Sequence, residues 1–229
     1  MTKLPSRILA TVLAVGATFF LSSEGSLSEI SETCSLAQQE STLKNSIGVV
    51  TLNKKSFNVD IKSKIHFYNK DDSLWLAFSF SENARKETQA EIEKVNFDPF
   101  AFHLDYLLLA LKCVNANSQY FEVVVNDEIG LTKYIRKDDL IFKFETWATH
   151  IIQRFGIDFN KSSNPLRTGP TQNARLAQMP KDVIFRPIQI KGDWVKVRWE
   201  VPSTVKEARY GWVKWREGTS LLVYLLYFA

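Results

Sequence analysis

Two stretches near the end of the chain alternate apolar and polar side chains with a period of two. Trp194-Val195-Lys196-Val197-Arg198-Trp199 follows Gly192-Asp193, and Tyr210-Gly211-Trp212-Val213-Lys214-Trp215 comes after a charged loop. Val, Trp and Tyr suit a pleated, half-buried surface, so each stretch predicts a β-strand. Upstream, Ile47–Leu52, Phe57–Ile61, Ile65–Tyr68 and Leu74–Phe80 read as further strands. Asn69-Lys70-Asp71-Asp72 is a hairpin loop between the last two. The charged run Ser81–Lys94 fits either a solvated helix or a long loop, and Phe97-Asp98-Pro99-Phe100 is a turn before the apolar run Phe102–Val114. Tyr120–Phe144 alternates again around the turn Asn126-Asp127-Glu128. Thr146 can cap a short helix carrying Ile151, Ile152 and Phe155, with Gly156 to end it.

The same pattern divides the chain. Lys3 and Arg7 precede the apolar run Ile8–Leu21, and polar Ser22–Ser26 follows. A basic start and an apolar run too short for an ordinary span make residues 1–26 a signal peptide or an uncleaved N-terminal anchor. The run ends without a cysteine, so the usual bacterial lipoprotein signal is absent. Residues 27–45, rich in Ser, Glu, Gln and Thr, read as a flexible tether. A β-rich domain is expected over 46–157, a linker with Pro165, Gly169 and Pro170 over 158–174, and a second β-module over 175–229. A motif recurs across that linker. Tyr120-Phe121-Glu122-Val123, Gly130-Leu131-Thr132-Lys133-Tyr134, Arg136 and Leu140–Phe144 are echoed by Trp194-Val195-Lys196-Val197, Gly211-Trp212-Val213-Lys214-Trp215, Arg216 and Leu221–Leu225. The order suggests one hairpin theme used twice.

Charge narrows the partners. The 29 basic and 25 acidic residues leave a formal charge of +4, and the one basic concentration, Lys133–Lys137, is broken by Tyr134 and Ile135. Nucleic-acid binding would need a basic stripe, so it is not expected. The aromatic content of 13% sits largely in strand-like segments, where large rings fill small cores.

Catalytic chemistry is thin. His66, His103 and His150 have no metal-ligand spacing to one another, to cysteine or to carboxylates, so each reads as structural and neither metal nor cofactor is expected. Asp71-Asp72 and Asp138-Asp139 fall in turns, where Asp serves local hydrogen bonding. Cys34 and Cys113 can pair as a disulfide in an oxidising compartment, although Cys113 within an apolar run reads more simply as a small buried hydrophobe. Phosphate-loop, dinucleotide and nucleophile-elbow motifs are absent, and the chain reads as a non-enzyme.

At Trp194-Val195-Lys196-Val197, Gly211-Trp212-Val213 and Ile184-Phe185-Arg186-Pro187 the chain resembles the bacterial SH3-like (SH3b) family. The likeness spans about residues 175–229 and, more faintly, 60–145. It departs from the family in its long charged loop Glu200–Arg209 and in Leu131, which stands where the first unit would carry tryptophan. The resemblance implies a mainly β fold: two small antiparallel SH3-like barrels with a short helix between them, preceded by the export segment. The N-terminal segment in turn leads to the expectation of an exported, periplasmic or extracellular protein, membrane-tethered only if residues 1–26 are retained. Such a protein would be a binding or scaffold component of the cell envelope, engaging peptidoglycan glycan or peptide or another envelope protein. Strand parity puts Trp194 and Lys196, and likewise Trp212 and Lys214, on faces where rings lie beside cations; with Tyr210 these are the candidate ligand-binding residues. The competing expectation is an accessory or cryptic cell-wall hydrolase with Cys113 or a carboxylate as nucleophile.

Overall fold

The computed structural model describes residues 42–53, 64–200 and 208–228. The expected export segment, most of the expected tether, Cys34 and the strand expected at Phe57–Ile61 lie outside the described residues. Residues from Gln39 onward group into one unit. It is mainly β and its sheets are antiparallel, as expected.

β1 (Gly48–Leu52), β2 (Lys64–Tyr68), β3 (Leu74–Ser79), β4 (Ala101–His103), β5 (Leu108–Ala116), β6 (Tyr120–Asn126), β7 (Leu131–Arg136) and β8 (Phe142–Glu145) build an eight-stranded sheet. Its order is β3-β2-β7-β6-β5-β1-β8, with β4 paired to β5 off that path. β1 lies between β5 and β8 and is buried along its whole length. Val49 points into one core and Val50 into another, which is why Gly48–Leu52 shows no hydrophobic alternation in the sequence. Gly48 is required by close packing, since a Cβ there would meet the Phe144 ring and the Glu145 carbonyl oxygen at 2.5 Å.

The charged run after β3 is helical: a 3₁₀ turn over Glu82–Ala84 leads into α1 (Arg85–Lys94). Thr88 and Ile92, four residues apart, form its buried side, and the Thr88 hydroxyl donates to the Ser79 carbonyl at 2.9 Å. With so little apolar surface, its period is nearly invisible in the sequence. The expected cap is present on α2 (Trp147–Ile152), where the Thr149 N–H donates to Thr146 Oγ1 at 3.2 Å. The helix stops at Ile152, and Gly156 opens β9 (Gly156–Asp158) instead of ending the helix.

After the polar stretch come β10 (Arg186–Lys191), β11 (Trp194–Glu200) and β12 (Ala208–Lys214), an antiparallel three-stranded sheet. The short strands β13 (Arg216–Glu217) and β14 (Ser220–Leu221) pair together, and β15 (Tyr224–Leu226) returns to β9. None of the sheets closes into a barrel among the described residues; the large sheet runs open from β3 to β8. A sheet covered on both faces, as this one is at β1 and β5, has no bare apolar face for closure to hide.

Two cores hold the unit. One is packed with rings: Phe67 lies 5.3 Å from Phe97 and 6.1 Å from Phe78, beneath β2, β3, β5 and β6. The other joins Val49, Ala110, Trp147 and Ile151 to Val195, Val197, Trp199 and Val213. Phe159 and Leu166, within the expected linker, are buried in this second core, as is Leu43 at the end of the expected tether. The recurring motif does form hairpins in both places, β6–β7 and β11–β12. Its glycines nevertheless hold different positions: Gly130 lies in the turn at φ +67°, and Gly211 lies mid-strand opposite Val197.

Candidate ligand-binding face

The sheet β10–β11–β12 has one dry face and one wet face. Val195, Val197, Trp199 and Val213 point into the core. Alternation therefore sends Trp194, Lys196 and Arg198 to the other side of β11, and Tyr210, Trp212 and Lys214 to the same side of β12. The register sets them ring against cation: Trp194 opposite Lys214, Lys196 opposite Trp212, Arg198 opposite Tyr210. Lys196 Nζ also lies 5.1 Å from the centroid of the Tyr210 ring, a cation–π distance.

The five sequence candidates thus meet on one surface, but they are not equally open. Tyr210 is 51% exposed and Trp194 only 9%, so Trp194 can offer little more than an edge. Lys196, Trp212 and Lys214 are half-buried. The Lys214 ammonium is tied to Glu217, and the Arg198 guanidinium bonds Glu200 at 2.7 Å. The Trp212 backbone exchanges two hydrogen bonds of 2.8 Å with that of Arg167, which fixes β12 on its outer edge. Gly211 lets Leu166 approach that strand: a Cβ there would stand 2.8 Å from Leu166 Cγ and Cδ1. At the β10–β11 turn, Gly192 adopts φ +57°, and Trp215 Nε1 donates to its carbonyl at 2.9 Å.

Sequence reasoning missed the contribution of β10. Lys191 stands opposite Trp194, Gln189 opposite Lys196 and Arg186 opposite Arg198, extending the face by a third strand. A bulge between Pro187 and Gln189 breaks the alternation that would have revealed it.

The remaining candidates are spread over the fold. His66 stacks on Tyr68 at 6.4 Å and His103 meets Tyr106 edge-on at 4.6 Å. Asp71 accepts bonds from Ser73, Asp72 pairs with Arg136, and Asp139 accepts from the Ile141 N–H, as turn aspartates do. Cys113 is buried in β5, its thiol donating to the Asn115 carbonyl at 3.2 Å; burial pushes its pKa up to about 11. Among the described residues no group of His, Cys, Asp and Glu could hold a metal ion, and no helix is long and apolar enough to cross a membrane.

No family model matches the chain, and neither a curated protein nor a solved structure does.

A second polar assembly escaped the sequence altogether. His150 is fully buried, with Nδ1 2.7 Å from Glu145 Oε2 and Nε2 3.0 Å from the Tyr227 hydroxyl. Burial lowers the His150 pKa and keeps the ring neutral, so Nδ1–H donates to the carboxylate and Nε2 accepts the tyrosine proton. Burial pushes the Glu145 carboxyl up, yet the hydrogen bonds from His150 and Lys143 outweigh it and bring the pKa down to about 2. Arg154 lies 4.7 Å over the Tyr227 ring and its Nε donates to the His150 carbonyl at 2.9 Å. The assembly ties the chain end to α2, and nothing in the spacing of Glu145, His150 and Tyr227 announces it.

Proposed function

We propose that this chain is an exported, non-enzymatic binding or scaffold protein of the bacterial cell envelope. Its residues 175–229 would act as an SH3b-type module that engages cell-wall glycan or peptide, or an envelope protein, through the β10–β12 face. One observation carries the reading: the in-register rings and cations at Trp212, Tyr210, Lys196 and Lys214 on a sheet whose other face is fully occupied by core. Such a surface stacks on planar or ring-shaped groups while its cations bind acidic ones. The hydrolase alternative draws no support from Cys113, which is buried and holds its proton far above neutral pH.

Co-sedimentation of the full chain with purified cell wall tests the proposal. At low salt the protein should be retained. Tyr210→Ala and Lys196→Glu should each weaken retention by roughly 30-fold, the scale of a central interface residue worth about 2 kcal/mol. Absence of retention at low salt would overturn the wall-binding reading, and retention indifferent to both substitutions would move the site off this face.

A further inference from the structure

At one end of the same face, two arginines stand directly across from each other, Arg186 on β10 and Arg198 on β11. Like charges opposite one another in a sheet are destabilising unless something neutral or negative lies between them. Beside them is a cavity of about 220 Å³, lined by both arginines, Asp182 and Glu200 together with the apolar Val183, Ile184 and Trp199. Glu200 engages Arg198 only at Nη2, at 2.7 Å, and Arg198 Nε is buried with no hydrogen-bond partner among the described residues. Arg186 holds its guanidinium carbon 5.3 Å from the centroid of the Phe155 ring, and the guanidinium N–H groups have no hydrogen-bond partner among the described residues.

We infer that this cavity is a carboxylate-binding site, filled by a carboxylate on a short aliphatic stem. The inference rests on the β10–β12 face being the binding surface and names the ligand chemistry at its end. Two guanidinium groups supply a planar fork that matches a carboxylate. Asp182 and Glu200 in the same wall would repel a dianion, which favours a carboxylate over phosphate. Val183, Ile184 and Trp199 give the stem an apolar lining. Glu200, at 54% side-chain exposure, can swing aside and yield its place on Arg198 to the incoming group.

NMR titration of the full chain reads the site directly, through the Arg198 Nε–H and Trp199 indole signals. N-acetylglutamate α-amide presents only a side-chain carboxylate and N-acetylalanine only a chain-terminal one, so the two probes distinguish the sources. At least one should shift both signals saturably at constant ionic strength, and inorganic phosphate should bind more weakly. Arg198→Lys keeps the charge but loses the fork, and should weaken binding about tenfold or more, as expected for one lost charge-assisted hydrogen bond. Lys94→Gln, on the exposed side of α1 and away from the β10–β12 face, should leave it unchanged. The inference fails if neither carboxylate moves these signals, if phosphate binds more tightly, or if Arg198→Lys binds like the unaltered chain. Wall retention that still depends on Tyr210 alongside any of those results would leave the binding face standing without this site.

Discussion

Replacing Glu145 by Gln keeps the shape of a buried side chain and removes its charge. In the native chain Glu145 accepts from His150 Nδ1 at 2.7 Å and pairs with Lys143 Nζ at 2.6 Å. A carboxyl whose folded pKa lies below its unfolded one binds fewer protons in the native state. Its contribution is therefore complete above about pH 4.5 and drains away as pH falls toward 2. A shift from 4.5 to about 2 corresponds to about 3 kcal/mol on the scale of ~1.4 kcal/mol per pH unit. Glu145→Gln should thus lower neutral-pH stability by about 2–3 kcal/mol and flatten the loss of stability between pH 4.5 and 2. Asp71 and Asp72, also held below their ordinary values by hydrogen bonds, leave a shallow residual slope. His150 acts in the same direction at higher pH: its lowered pKa means that stability is complete above about 6.5 and falls as the unfolded chain takes up the proton first. Urea denaturation followed by tryptophan fluorescence, repeated from pH 2.5 to 7.5, measures both. If the variant and the unaltered chain lose stability in parallel below pH 4.5, Glu145 is not the group responsible and the assignment of the buried assembly is wrong.

Two further perturbations test the packing around β12 and the burial of β5. Gly211→Ala forces a Cβ against Leu166 Cγ at 2.8 Å in a fully packed core and should cost about 1–3 kcal/mol in chemical denaturation; combining it with Leu166→Ala should cost less than the two changes summed, whereas strict additivity would show that the contact is not the cause. With a pKa of about 11, the Cys113 thiol should resist iodoacetamide at pH 8 under reducing conditions and react only in denaturant, as read by peptide mass spectrometry; rapid native labelling would contradict its burial.

The parts of this fold that were legible in the sequence are those where a strand shows water one face and the core the other. β11 and β12 alternate, so their existence and the shared side of Lys196 and Trp212 followed from parity, whereas β12 starts at Ala208 and stops at Lys214 where Tyr210–Trp215 was expected. β1 does not alternate because both its faces are covered, and α1 hides its period because only Thr88 and Ile92 are buried. β10 was lost to a bulge. The pairing of β9 with β15, and of His150 with Tyr227, joins positions far apart in the chain, and no local rule of propensity or spacing encodes such meetings. For the same reason the motif echo between Tyr120 and Trp194 marks a strand pair in both places but not an equivalent role for its glycines: pattern specifies a strand pair, while the neighbour that presses on it, Leu166 against Gly211, specifies where glycine is needed.

Isolated exposed rings are ordinary on a protein surface and carry no message. The β10–β12 face differs because its members are aligned. Each ring of β11 and β12 faces a cation across the strand, and those contacts are modest stabilisers that a plain polar surface could replace. Arg186 opposite Arg198 goes further, since that pairing opposes folding and is offset only partly by Glu200 and Phe155. Core packing explains the buried side of this sheet and the burial of Trp194, and it does not account for the outward Lys196, Tyr210 and Trp212. An arrangement that costs stability, that the core does not require, and that leaves a guanidinium N–H without a partner among the described residues next to a cavity is better accounted for by a ligand than by folding. Neutralising one arginine separates the two accounts: Arg186→Gln should leave stability unchanged or raise it while weakening carboxylate binding, and a loss of stability would return the pair to a structural role.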